Sequence, residues 1–238
     1  MLPVTFARKL VAEALGTALL LATVVGSGVM GERLAGGNVA IALLANTLAT
    51  GAGLVALILT FGPVSGAHFN PVVTVADATL GGISWKEVPG FVVAQVAGAL
   101  GGVLLAHAMF DLPLLQVSTH VRSGGPQLLS ESVATFGLLA VILGTARRRS
   151  AAVPFAVGAY ITAAYWFTAS TSFANPAVTL ARSFTDTFAG IRPADAPGFA
   201  LAQIVGAALA TLCFRWLVPP LPEAAPSVVA RPHDEIDR

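Results

Sequence analysis

Two asparagines followed by proline, Asn70-Pro71 and Asn175-Pro176, are the residues of this chain best placed to do chemistry. A side-chain amide offers N–H donors and a carbonyl acceptor but no acid, base or nucleophile, so the chemistry is hydrogen bonding to an uncharged partner. Asn-Pro is also a helix start: asparagine caps, and proline suits the first helical position, where no N–H is needed. The first box reads Ser65-Gly66-Ala67-His68-Phe69-Asn70-Pro71-Val72-Val73-Thr74 and the second Ser172-Phe173-Ala174-Asn175-Pro176-Ala177-Val178-Thr179. Around them, polar side chains interrupt apolar runs: Glu13, Glu131, Gln95, Gln203 and His68. The two carboxylates fit either bracing of a re-entrant loop through its N–H groups or a proton relay. His68 fits loop anchoring at a vestibule, a pH gate or a metal ligand. The glutamines fit hydrogen-bond braces. No metal-ligand cluster, activated nucleophile or phosphate loop is visible, and the single cysteine, Cys213, excludes an intramolecular disulfide. An enzyme, a cofactor and a resident metal are therefore not expected.

The elements that must position these groups lie in a membrane. The 238 residues are 55% hydrophobic and 11% charged, with a mean hydropathy of +0.80; a soluble domain carries about 25% charged residues. A net charge of +1 gives no reason to expect a nucleic-acid partner. A bilayer core takes about 20 apolar residues of helix, and six segments qualify, near 9–30, 39–61, 88–110, 128–146, 151–169 and 197–218. The apolar run after Arg8-Lys9 is too long for a cleaved signal segment and leads into further spans. Two shorter segments, about 70–80 and 175–186, each reach roughly half of a ~30 Å core. Such half-spans survive only buried in protein or lining water. Gly62-Pro63 and Ser170-Thr171-Ser172 are the expected loops back to mid-membrane. Arg8-Lys9, Arg147-Arg148-Arg149 and the charged tail then fall on one side, cytoplasmic by the positive-inside rule. The stretch 219–238 reads as a disordered cytoplasmic tail.

The two halves repeat. Glu13 pairs with Glu131, Asn70 with Asn175 and Gln95 with Gln203, at offsets of 118, 105 and 108 residues. Each half holds three spans, an odd number, so the halves insert in opposite orientations, with the functional site at their interface near the midplane. The expected organisation is a first repeat over 1–110, an external connecting segment over 111–127, a second repeat over 128–218 and the tail. Asn70 and Asn175 then meet at a central constriction. The loops 64–69 and 170–174 would offer backbone carbonyls as a ladder, and the half-helix N-termini about half a positive charge each. That field opposes cations and proton relay.

The first box, both Asn-Pro pairs, the early Glu13 and the Gln95 and Gln203 motifs closely resemble the major intrinsic proteins, the aquaporins and aquaglyceroporins, over about residues 8–218. The resemblance implies an all-α membrane fold of six spanning helices plus two half-helices, a pore in each subunit and a homotetramer. The first box departs from the family pattern in reading Asn-Pro-Val rather than Asn-Pro-Ala. The second departure is larger. The family's narrowest ring nearly always has an arginine three residues after the second asparagine, and here that residue is Val178. Arg182, a turn further on, is not expected to stand in for it at the same height and face. Asp77 and Arg182 are expected to end the half-helices facing water. Counting from the motifs places Thr50, where the family usually has a large aromatic, and Ser172 in the same ring. The fourth position is Tyr165 counted forward from Gly158 or Ala163 counted back from Asn175, with Tyr165 favoured because a helix keeps register better than a loop keeps length.

A ring with Thr50 and Val178 is wider and less charged than a strict water pore. It resembles that of aquaglyceroporin-like channels of bacterial arsenic-resistance operons, the AqpS type. That resemblance implies passive passage of arsenite and other metalloid hydroxides, methylated arsenicals, glycerol and water across a bacterial cell membrane. The rival expectation is an ion-coupled secondary transporter of a small solute, which would use Glu13 and Glu131 for coupling.

Overall fold

The computed structural model describes residues 4–147 and 149–217; the expected tail at 219–238 lies outside the described residues. Eight α-helices follow in order: α1 (Phe6–Leu34), α2 (Val39–Ser65), α3 (Pro71–Thr79), α4 (Val88–Met109), α5 (Gly125–Ala146), α6 (Val153–Phe167), α7 (Pro176–Arg182) and α8 (Ala196–Leu217). A 3₁₀ turn, Ser150–Ala152, leads into α6. No strand occurs among the described residues. Six helices among the described residues, counting the 3₁₀ turn with α6, are long and apolar enough to cross a bilayer. α3 and α7 are the two short ones, nine and seven residues.

Local chemistry explains the boundaries. Thr5 caps α1 by accepting from the Arg8 N–H, and Asn38 caps α2 by accepting from the N–H groups of Ala40 and Ile41. Proline opens or nearly opens α3, α4, α5, α6 and α7, where its missing N–H costs nothing. Two expectations need correction. The return loop does not start at Gly62-Pro63: α2 runs through Pro63 to Ser65 and stops at Gly66, whose left-handed φ of 89° closes the helix. A proline in the last turn removes a single ladder hydrogen bond, and the chain turns where glycine admits a positive φ. The second half-helix ends at Arg182 rather than near 186. The carbonyl of Arg182 then accepts from Ile191 N–H and that of Ser183 from Ser118 N–H, so the following residues fold into a loop network.

Close packing holds each repeat together. α1 lies against α2 and α4 in the first, and α5 against α6 and α8 in the second. Gly98 and Gly102 of α4 face the backbone of Ala14 and Ala18, and Gly206 of α8 faces that of Ser132, where any side chain would collide with a carbonyl. Inside a bilayer helices associate through such close approach rather than through hydrophobic burial. The outer surface is correspondingly apolar, with Leu48, Val93, Leu105, Leu201 and Leu212 exposed. The buried cluster that runs from Leu20 and Val24 through Val73 to Leu138, Ile161 and Val178 lies between the two repeats.

Candidate functional site

The two half-helices meet at their capping asparagines. Asn70 accepts from Val72 N–H (3.1 Å) through Oδ1, and Asn175 accepts from Ala177 N–H (3.0 Å) and Val178 N–H (3.3 Å). Their amide nitrogens cross over. Asn70 Nδ2 donates to Ala174 O (2.8 Å) and Asn175 Nδ2 to Phe69 O (2.7 Å). Each NH₂ has two hydrogens, so one ties the repeats together and the other is left for the cavity that both asparagines line.

The loops feeding this junction have a shared geometry. Ala67 and Phe69 have φ of 50°, and Ser172 and Ala174, each 105 residues later, have φ of 53° and 50°. Left-handed backbone at residues with a Cβ costs of order 1 kcal/mol or more each and persists only where the surroundings impose it. The two carboxylates are those surroundings. Glu13, fully buried, accepts from Ser65 Oγ (2.6 Å), His68 N–H (3.0 Å), Phe69 N–H (2.7 Å) and Gln95 Nε2 (2.8 Å). Glu131, also fully buried, accepts from Phe173 N–H (2.9 Å), Ala174 N–H (2.9 Å) and Gln203 Nε2 (2.6 Å). Each glutamine also donates to a half-helix threonine, Thr74 or Thr179, whose hydroxyl donates to the asparagine carbonyl.

A cavity of about 70 Å³ runs past the junction, room for several waters. One wall is aliphatic, including Leu20, Val24, Leu54, Ile58, Leu138 and Ile142. Thr50, Tyr165, Ser172 and Val178 all line it. Tyr165 donates its hydroxyl to Thr50 Oγ1 at 3.3 Å, whereas Ala163 is exposed on the outside of its helix. Ser172 Oγ is buried there without a protein partner.

Equivalent positions form a side-chain pair in each repeat beside the cavity. His68 lines it, with Nδ1 3.1 Å from Thr74 Oγ1 and Nε2 3.4 Å from Asp77 Oδ2. The counterparts 105 residues on are Phe173 and Arg182, and the Arg182 guanidinium carbon lies 3.4 Å from the centre of the Phe173 ring. Asp77 and Arg182 are 0% and 2% exposed, so neither faces bulk water. Arg182 lines the same cavity as Val178. The two are four residues apart, which places them on one face of the helix about 6 Å apart along its axis.

Other groups found no motif in the sequence to announce them. Arg122, from the connecting segment, lies 5.1 Å from the same Phe173 ring and donates to Gly190 O (2.8 Å), Ser170 O (3.3 Å) and Phe188 O (3.4 Å). Burial lowers the pKa of its guanidinium. Its backbone N–H donates to Asp195 Oδ2 (2.9 Å), and Arg192 pairs with the same carboxylate at 2.8 Å. The Arg192 hydrogen bond holds the Asp195 pKa below its ordinary value, and two hydrogen bonds from Thr119 do the same for Asp186. His107, buried in α4, has Nδ1 2.9 Å from Leu114 O and Nε2 2.8 Å from Thr185 Oγ1. A carbonyl can only accept, so Nδ1 bears the proton and the ring ties the connecting segment to the loop after α7.

Comparison with known proteins agrees with this geometry. A sequence model described as "Major intrinsic protein" matches residues 2–172. The chain is 57% identical over 227 residues to Aquaglyceroporin AqpS of Rhizobium meliloti (strain 1021), covering 92% of this chain and 97% of that one. It is 34% identical over 187 residues to Aquaporin NIP1-3 of Oryza sativa subsp. japonica, covering 76% of this chain and 64% of that one. The X-ray structure of the aquaglyceroporin from Plasmodium falciparum superposes with a TM-score of 0.72 over 91% of this chain and 98% of its own, at 21% identity, and so shares the fold. The chain belongs to the major intrinsic protein family, as a membrane channel for small neutral solutes and not an enzyme.

Proposed function

We propose that this channel passes small polyhydroxylated neutral solutes by passive diffusion: arsenite as its undissociated hydroxide, other metalloid hydroxides, methylated arsenicals and glycerol, together with water. The observation that carries the reading is the ring. Thr50, Tyr165 and Ser172 bring three hydroxyls to the cavity that Val178 also lines, and the Ser172 hydroxyl has no protein partner. A solute shedding water needs donors and acceptors along one wall and apolar contact along the other. A molecule with three hydroxyls supplies the matching set. The asparagine amides at the junction serve it next, and the left-handed loops offer their carbonyls. Val178 leaves out the fixed cation that an arginine would add there, so the ring discriminates less strongly for water.

Both carboxylates already accept three or four hydrogen bonds, from their loops and from the glutamine and helix-end side chains beside them. That supports a bracing role over proton coupling. In the same reading His68 lines the cytoplasmic vestibule, both termini are cytoplasmic and the connecting segment is external, as the basic residues favour. The apolar outer surface suits a homotetramer in a bacterial cell membrane. Arsenite uptake by proteoliposomes tests the cargo: influx down its gradient at a rate well above empty vesicles supports it, and intact water flux with no arsenite flux refutes it.

A further inference from the structure

We propose that Arg182 is the filter cation of this pore, placed one helical turn outward from the ring position that Val178 occupies. The inference rests on the cavity being the solute path. Three features of the structure carry it. First, Arg182 is 2% exposed and lines the cavity with Thr50, Tyr165, Ser172 and Val178. Its position four residues after Val178 puts it on the same face of α7. Second, the guanidinium is fixed rather than free to swing. Its central carbon lies 3.4 Å from the centre of the Phe173 ring, and Nε donates to Ala189 O in the loop after α7. Stacking on an aromatic face is a geometry that arginine adopts readily and lysine does not. Third, Nε is the atom with a protein acceptor among the described residues, and no carboxylate pairs with this side chain there. The Nη donors are therefore left to serve whatever occupies the cavity.

A charge with this setting does two things. It repels cations where they lose their hydration, an effect strengthened by the low-dielectric aliphatic wall. It also donates N–H groups to hydroxyl oxygens of a neutral solute just before the solute meets the Thr50–Tyr165–Ser172 hydroxyls. Arg122, from the connecting segment, sits near the same ring and donates to the carbonyls of Ser170, Phe188 and Gly190. It holds the loops that shape the mouth and adds to the positive field. A ring arginine would narrow the pore and exclude cations at one position; here Val178 leaves the ring wide and Arg182 supplies the cation exclusion one turn away.

The test uses full-length protein in proteoliposomes, with Arg182→Gln and Arg182→Lys beside wild type. Proton leak is read with an entrapped pH dye under a clamped potential, and water and glycerol flux by light scattering. Arg182→Gln is expected to raise proton leak by about tenfold or more, because the fixed charge is lost, and to shift the glycerol-to-water ratio, because the Nη donors are lost with it. Arg182→Lys keeps the charge and is expected to stay tight to protons while its glycerol-to-water ratio falls. A second arm, Val178→Arg combined with Arg182→Gln, is expected to restore proton exclusion. Leak and glycerol-to-water ratio unchanged in folded Arg182→Gln, or equal leak in the Gln and Lys variants, overturns the proposal. If Arg182→Gln does not fold, Phe173→Leu is read instead: a several-fold change in glycerol-to-water ratio supports the proposal and an unchanged ratio overturns it. If wild type passes water but neither glycerol nor arsenite, the cargo reading fails while the proton readout still decides the role of Arg182.

Discussion

At the scale of single residues, the groups that matter most are those that hold others in place. Glu131, braced from α8 by Gln203, satisfies two N–H donors of a loop whose backbone sits in the left-handed region. Glu131→Ala leaves those donors buried and unpaired at about 1–3 kcal/mol each. It should abolish both water and glycerol flux and lower the detergent melting temperature, whereas Glu131→Gln, which keeps one acceptor oxygen, should retain part of each. Equal behaviour of the two variants would show that the acceptor is not what the site uses. Much of the residue scale is legible in the sequence. The asparagines announce themselves by the proline that follows, and the glutamates by being charged inside apolar runs. Tyr165 follows from counting along a helix, where 3.6 residues per turn fix the face. Arg122 and Asp195 are not legible in this way, because their partners are backbone carbonyls and N–H groups of segments distant in sequence. Arg182 departs from its sequence expectation of facing water off the ring's height and face: it is buried in the cavity lining, and the ring that pins it, Phe173, is visible only in three dimensions.

At the scale of elements, the spanning helices follow from length and apolarity alone, and the structure places them within a few residues of the expected bounds. The errors fall where a breaker is tolerated. Pro63 lies in a final turn where one lost hydrogen bond is affordable, so the helix outlasts it. The second half-helix stops early because its last carbonyls are taken by the following loop and not by another turn. Helix pairing depends on glycines at backbone contacts. Gly206→Val would drive a branched side chain into the carbonyl of Ser132, and overpacking of this kind costs about 1–3 kcal/mol. We expect a lower yield of folded protein and a lower melting temperature by circular dichroism, with Gly101→Val, which faces open space, near wild type. A matched loss at Gly101 would argue against close helix approach as the cause.

At the scale of the whole molecule, the connecting segment is tied to the loops flanking α7 and α8 by carboxylates whose pKa values are depressed by their partners. A depressed folded-state value means that the stabilisation is fully present above the ordinary carboxylate pKa of about 3.9 and is lost as pH falls through the lower folded value. Hydrogen exchange at the Thr119 and Arg122 amides, corrected for intrinsic rates, should therefore stay protected from neutral pH down to about 4 and open only below it. Opening between pH 6 and 5 would assign these ties to a histidine instead. Transport across the whole pore should be passive: an uncoupler should leave solute flux unchanged, and loss of flux would favour an ion-coupled transporter. The central claim is that the hydroxyl-rich ring with Val178 admits neutral metalloid hydroxides. It is tested most directly by arsenite influx into proteoliposomes carrying wild type or Val178→Arg, with water flux measured on the same vesicles. The account predicts rapid, gradient-driven arsenite influx in wild type that falls by about tenfold in Val178→Arg while water flux persists. Arsenite flux absent in wild type, or undiminished in Val178→Arg, would contradict it.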